Sequence, residues 1–275
     1  MTTETDPQIV VVTGASSGVG RAIAHAFGQR GAHVVPIAPA TRRLCRQPLR
    51  RSVRPEAMPS CCPWTWRTAL RRMRPRSQET IIQIGSALAY RSIPLQSAYC
   101  AAKAAIRGFT DSLRTELIHE GSNIRVTMLQ LPAVNTPQSL RQRNKLPQLA
   151  QPVPPLFAPE AIAGVVVWAA DHAPREMLIG RPSLQTVWAQ KFFPSLLDLY
   201  LGKTGYTPQM VDDANNQNGR DILFETLSED PGARGPYNDK EQGPDLQMRL
   251  RPHARPLSAA FSIASSAFKA IGRRA

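Results

Sequence analysis

The sequence of 275 residues contains no apolar run approaching the ~18 residues of a membrane-spanning helix. It has only four cysteines and no Cys-x-x-Cys pair, which argues against a disulfide framework and a zinc site. The opening residues Met1 to Gln8 carry acids and no basic apolar leader, so a cytoplasmic protein is expected. His25, His33, His119, His172 and His253 stand apart with no metal-ligand spacing, and no metal is expected. Internal repeats are absent. Acids are scarce: 20 Asp+Glu face 34 Lys+Arg, a formal charge of +14.

A basic excess of that size raises nucleic acid as a partner, so its location matters. Residues 41–78 hold 11 arginines and a single acid, Glu56, while the remaining 237 residues carry only +4. The same stretch contains no Gly, Asp, Asn, Ile or Phe, yet it holds Cys45, Cys61, Cys62, Trp64 and Trp66. No period of 2 or 3.6 residues runs through it. A nucleic-acid arm with Trp64 and Trp66 stacking on bases is one reading. Its prolines and paired cysteines point away from that, and nucleic acid is not the expected partner.

On either side of this segment the pattern is regular. Gln8 to Val12 is a β-branched run, followed by a helical stripe of Val19, Ala22, Ile23, Ala26 and Phe27 that Gly31 stops. Ala32 to Ile37 reads as a second strand, with Pro36 awkward in its interior. Thr80 to Ile84 and Ile124 to Leu131 are strand-like. Ser97 to His119 reads as a long helix burying Ala102, Ile106, Phe109, Leu113 and Leu117. Pro137 to Pro155 reads as a loop or mobile lid, Pro159 to Ala170 as a helix, Glu176 to Ile179 as a last strand, and Ser183 to Leu201 as a helix. Strands alternating with helices imply a doubly wound α/β fold with a parallel, Rossmann-like sheet.

Two constellations carry chemistry. The first strand-to-helix turn reads Thr13-Gly14-Ala15-Ser16-Ser17-Gly18-Val19-Gly20. Glycines there permit a tight turn and close approach of a pyrophosphate to the helix N-terminus, where N–H groups and the dipole favour anions. The second is Ser86, Tyr99 and Lys103. Tyr99 and Lys103 lie one turn apart on the same helix face. A neighbouring ammonium favours the phenolate, and Ser86, just past a strand end, can hold a carbonyl oxygen.

The glycine turn, a Ser 13 residues before Tyr99, and the Tyr-x-x-x-Lys pair together resemble the short-chain dehydrogenase/reductase family. Pro132-Ala133-Val134-Asn135-Thr136 is similar to that family's Pro-Gly-x-x-Thr segment, with Ala133 in place of Gly. The resemblance spans residues 8–37 and about 68–200. It implies NAD(P)-dependent hydride transfer at a small-molecule carbonyl or alcohol carbon. Ser86, Tyr99 and Lys103 would be catalytic, with Tyr99 as acid/base. Gly14, Ser16, Ser17, Gly18, Val19, Gly20, Tyr99, Lys103, Pro132, Val134 and Thr136 would bind the cofactor. Arg42 and Arg43 lean the choice toward NADP over NAD. A homo-oligomer is expected.

The departures are as informative. The family has a helix, a third strand, another helix and a fourth strand between the second strand and the Ser86 strand, and 42 residues are too few for them. No Asn precedes Asn123, so the family's catalytic Asn is missing. The sheet is expected to be incomplete around strands 3 and 4, and turnover greatly reduced or absent. Residues 39–66 have the composition of an out-of-frame reading of a GC-rich gene. An oxidoreductase domain is therefore expected over residues 1–202, with an anomalous segment at 38–67. Residues 203–275 form an extension, partly disordered, whose Leu257, Phe261, Ala264, Phe268 and Ile271 repeat at 4-3-4-3 spacing. That terminal helix would dock on the domain or lie on a membrane surface.

Overall fold

The computed structural model describes residues 8–37, 73, 79–211, 221, 222 and 229–250. The anomalous 38–67 segment, with Arg42 and Arg43, and the terminal helix of 257–271 lie outside the described residues.

Strand β1 (Ile9–Thr13) leads through the glycine turn into helix α1 (Gly18–Gln29) and back to β2 (His33–Ile37). Gly31 follows the helix at φ +82°, a conformation an L side chain resists, so the chain turns there. β1 and β2 pair in parallel, with Val12 opposite Pro36. Among the described residues β2 has no second neighbour. An edge strand tolerates the missing N–H of Pro36.

Strand β3 (Thr80–Ser86) begins a second sheet. It is followed by helix α2 (Ser97–His119), β4 (Arg125–Leu131), the short helix α3 (Gln138–Arg141) and β5 (Leu156–Phe157). Helix α4 (Pro159–His172), β6 (Glu176–Leu178), α5 (Arg181–Phe192) and α6 (Pro194–Thr204) complete the run. The single helix expected over 183–201 is two, because Pro194 lacks the N–H that would continue α5. Near the C-terminus β7 (Glu241–Gln242) pairs with β5, and α7 (Leu246–Leu250) follows.

The three sheets are parallel pairings: β1-β2, β3-β4-β6 and β5-β7. Among the described residues no strand joins β1 to β3. The residues on which the expected incompleteness turns, between β2 and β3, lie outside the described residues apart from Met73. The two larger pieces still share one core. Helix α1 packs on α4, and Val12, Phe27, Val34, Leu129, Phe157, Ile162 and Ile179 belong to one buried cluster.

Strand β1 is covered unequally. A strand inside a doubly wound sheet is covered on both faces. Here Val12 is buried, whereas Ile9 is 55% exposed and Val11 45% exposed. Alternate residues point to opposite faces, so one face of β1 meets the core and the other is uncovered.

Helix α2 differs from its expected stripe. Its buried residues are Cys100, Thr110, Leu113 and Leu117, while Ala102 is exposed and Phe109 is 40% exposed. Thr110 tolerates burial because its hydroxyl donates to the Ile106 carbonyl at 2.7 Å. The 137–155 stretch is pinned as well. The Tyr237 hydroxyl donates to the Ala150 carbonyl at 3.0 Å, and Lys240 Nζ donates to Gln151 Oε1 at 2.7 Å.

Candidate active site

The ends of β3 and β4 set the catalytic candidates. Ser86 and Leu131 are paired at the C-terminal limits of the two strands, so Ser86 and the Pro132–Thr136 segment emerge side by side. In open α/β sheets this edge receives ligands. Ser86 is buried and its Oγ accepts the Leu88 N–H at 3.2 Å, which closes a short 3₁₀ turn over Ala87–Ala89. Tyr99 lies close enough for the Ser86 hydroxyl to draw the phenol's pKa downward.

Tyr99 and Lys103 stand on the first turns of α2, with Lys103 Nζ 5.6 Å from the centre of the Tyr99 ring. Lys103 Nζ donates to the Ile84 carbonyl at 3.0 Å, which ties the helix to β3. The structure therefore brings Ser86, Tyr99 and Lys103 together. The electrostatic balance is a different matter. Partial burial pushes the Tyr99 phenol above its ordinary value, while the Ser86 hydroxyl pulls it down. Burial lowers the Lys103 ammonium. Lys103 Nζ is held by the Ile84 carbonyl 5.6 Å from the ring centre, so the activation expected of it needs a closer approach of the two groups.

The glycine turn is shaped by three backbone requirements. Gly14 and Gly18 take φ +73° and +55°. At Gly20 a Cβ would stand 2.8 Å from the Gly14 carbonyl carbon and closer still to its oxygen. Gly20→Ala is therefore expected to cost ~1–3 kcal/mol, because both colliding groups are fixed. Urea unfolding of the variant measures it, and a midpoint equal to wild type would contradict the close approach.

Ser17 is the N-cap of α1 but its side chain makes no capping bond, which leaves the first-turn amides to acceptors outside the helix. Ser16, Ser17, Val19 and Gly20 are partly exposed around it. The turn also meets the other half of the site, since a Cβ at Gly18 would stand 3.3 Å from Thr136 Cγ2. Pro132, Val134 and Thr136 are partly buried along this boundary. An uncapped helix start, close glycines and a facing Thr fit the diphosphate and nicotinamide ends of a dinucleotide.

The sequence did not single out Arg21, Asn135, Asp230 or Gly232, which prove central here. Asn135 is fully buried. Its Nδ2 donates to Asn238 Oδ1 and to Glu241 Oε2, each at 3.0 Å, and its Oδ1 accepts the Tyr237 N–H at 3.2 Å. One amide thus binds the C-terminal stretch to the end of β4. Asp230-Pro231-Gly232 carried a turn signal in the sequence, without any sign of what the turn would touch.

Comparison with known proteins agrees with this arrangement. The family model described as short chain dehydrogenase matches residues 60–146, which include Ser86, Tyr99, Lys103 and Pro132–Thr136. An uncharacterized oxidoreductase of Bacillus subtilis, YxnA, is 30% identical over 146 residues, 53% of this chain and 41% of that protein. An uncharacterized oxidoreductase of Staphylococcus saprophyticus, SSP1627, is 32% identical over 123 residues, 42% of this chain and 49% of that protein. The matched region thus spans less than half the length of these curated relatives. A solved short-chain dehydrogenase from Streptomyces avermitilis shares the fold at a TM-score of 0.50 and 18% identity, covering 72% of this chain and 98% of that one. Over residues 60–146 the chain is thus similar to short chain dehydrogenases, and its described part shares their fold.

Proposed function

We propose that the chain is an NAD(P)-dependent oxidoreductase that interconverts a small-molecule carbonyl and its alcohol. The observation that carries this reading is the grouping of Ser86, Tyr99 and Lys103 at the C-terminal edge of β3 and β4, with Lys103 Nζ 5.6 Å from the Tyr99 ring centre and bonded to the Ile84 carbonyl. The nicotinamide would supply or accept the hydride. Ser86 would hold the substrate oxygen, and the Tyr99 hydroxyl would give up or take the proton on that oxygen. Lys103 would orient the nicotinamide ribose and, on approaching Tyr99, favour its phenolate. Gly14, Ser16, Ser17, Gly18, Val19 and Gly20 would cradle the diphosphate, with Pro132, Val134 and Thr136 bordering the nicotinamide. Arg42 and Arg43, which would favour NADP over NAD, lie outside the described residues.

A second reading, a catalytically impaired relative, is favoured by the lack of any Asn before Asn123 and by the exposed Ile9 and Val11. Turnover of a panel of small ketones and aldehydes, followed by nicotinamide absorbance, separates the two. Reduction that depends on Tyr99 supports the enzyme. Nucleotide binding without turnover supports the impaired relative, and absence of both refutes the dinucleotide reading. A homo-oligomer is part of the same proposal, with the exposed Ala102 and Phe109 face of α2 as its contact.

A further inference from the structure

The stretch 229–237 lies along both halves of the candidate site. At its start, the Gly18 N–H, first in α1, donates to the Gly232 carbonyl at 3.1 Å. Arg21, one helical turn on, grips Asp230 with both terminal nitrogens, Nη2 to Oδ2 at 3.1 Å and Nη1 to Oδ1. Asp230 Oδ1 also accepts the Gly232 N–H at 3.0 Å, which folds the turn, and Gly232 sits at φ +67°. Arg141 Nη2 donates to the Glu229 carbonyl at 3.0 Å. Two arginines and a helix N-terminus thus surround one carboxylate and two carbonyl oxygens.

The other end of the stretch is fastened to the Pro132–Thr136 segment. The Gly235 N–H donates to the Asn135 carbonyl at 3.2 Å, and Tyr237 is bound through Asn135 and Ala150. A Cβ at Gly235 would stand 2.8 Å from the Thr136 carbonyl carbon, so the strap lies directly on that backbone.

We propose that residues 229–237 are an internal occupant of the dinucleotide groove, held at the N-terminus of α1 by Gly232 and Asp230, and that they must leave before a dinucleotide's diphosphate binds. This inference rests on the dinucleotide reading above. Its chemistry is substitution of like for like. A helix N-terminus with a nearby guanidinium selects oxygen anions, and the strap presents a carboxylate and a peptide carbonyl where phosphate oxygens would lie. Being tethered, the strap competes at a high effective concentration. The apparent affinity for dinucleotide is then reduced by the fraction of molecules in which the strap is displaced. Asp230 is the residue on which the occupancy turns, since it joins Arg21 to the strap's own turn. The opposite design is a strap that closes over a bound dinucleotide and strengthens its hold.

The test uses the full chain and its Asp230→Ala and Asp230→Asn variants, each titrated calorimetrically with NADP⁺ and NAD⁺. Amide hydrogen exchange of the peptide 14–21 is measured without nucleotide. Faster exchange at 14–21 in the variants, with dinucleotide bound about tenfold more tightly than by wild type, supports the proposal. Unchanged or weaker binding overturns it, the weaker result showing a clamp. Equal exchange rates also overturn it, because the strap is then not docked on α1. If exchange rises but no protein binds dinucleotide, the strap is real and the dinucleotide reading fails together with the competition. If all bind equally, that reading stands and only the competition fails.

Discussion

Tyr99→Phe is expected to remove at least ~10²-fold of the proposed carbonyl reduction. The substitution deletes one oxygen and leaves the ring, which is 46% exposed and adds little to the core. Ser86 remains to hold the substrate oxygen and Lys103 keeps its bond to the Ile84 carbonyl. What goes is the proton. The direction of the Tyr99 shift adds a pH signature. Its phenol is held above its ordinary value of 10.0 by burial, with the Ser86 hydroxyl opposing. Reduction needs the protonated form and is expected to be flat in kcat from pH 6 to 9. Alcohol oxidation needs the phenolate, whose fraction rises tenfold per unit below the pKa, so oxidation is expected to climb through the same range. A kcat for Tyr99→Phe equal to wild type, or oxidation that is flat with pH, would remove Tyr99 from the chemistry.

Phe157→Ala is expected to cost ~3–5 kcal/mol, a large share of the ~5–15 kcal/mol that holds a domain folded. Phe157 is 1% exposed and fills the space against Gly180, where an added Cβ would meet its ring at 3.4 Å. Its backbone binds the site segment on both sides: the N–H donates to the Ala133 carbonyl at 3.0 Å and the carbonyl accepts the Asn135 N–H at 2.9 Å. Loss of the ring leaves a cavity beneath Pro132–Thr136 and loosens Asn135, which holds the C-terminal stretch. Urea unfolding checks the magnitude, and a loss below ~1 kcal/mol would mean that the cluster collapses around the gap.

The strands, the glycine turn and the Ser86, Tyr99 and Lys103 set were legible because they rest on short-range rules. Periodicity, a stop glycine and i,i+4 spacing all act within a few residues. What was not legible depends on partners distant in the chain. The face of α2 that is buried is chosen by what surrounds it, and Thr110 hides its burial behind a bond to its own helix. Ala102 and Phe109 have the right apolarity and still face outward. Likewise 229–237 has weak local preferences, and its place is set by Arg21, Asn135 and Gly18, roughly a hundred to two hundred residues away. The family-like reading of residues 68–146 agrees with the family match over residues 60–146, whereas most of the arginine-rich segment lies outside the described residues.

The half-covered β1 also has a consequence for handling the protein. Among the described residues its second edge meets no strand, and Ile9 and Val11 lie open on one face. Natural sheets guard such edges with charge, bulges or proline. Pro36 sits on β2, and β1 itself, Ile-Val-Val-Val-Thr, has no such guard. The apolar Ile9 and Val11 face is where contact between molecules in concentrated solution is expected to begin, and charged substitutions there are expected to raise solubility.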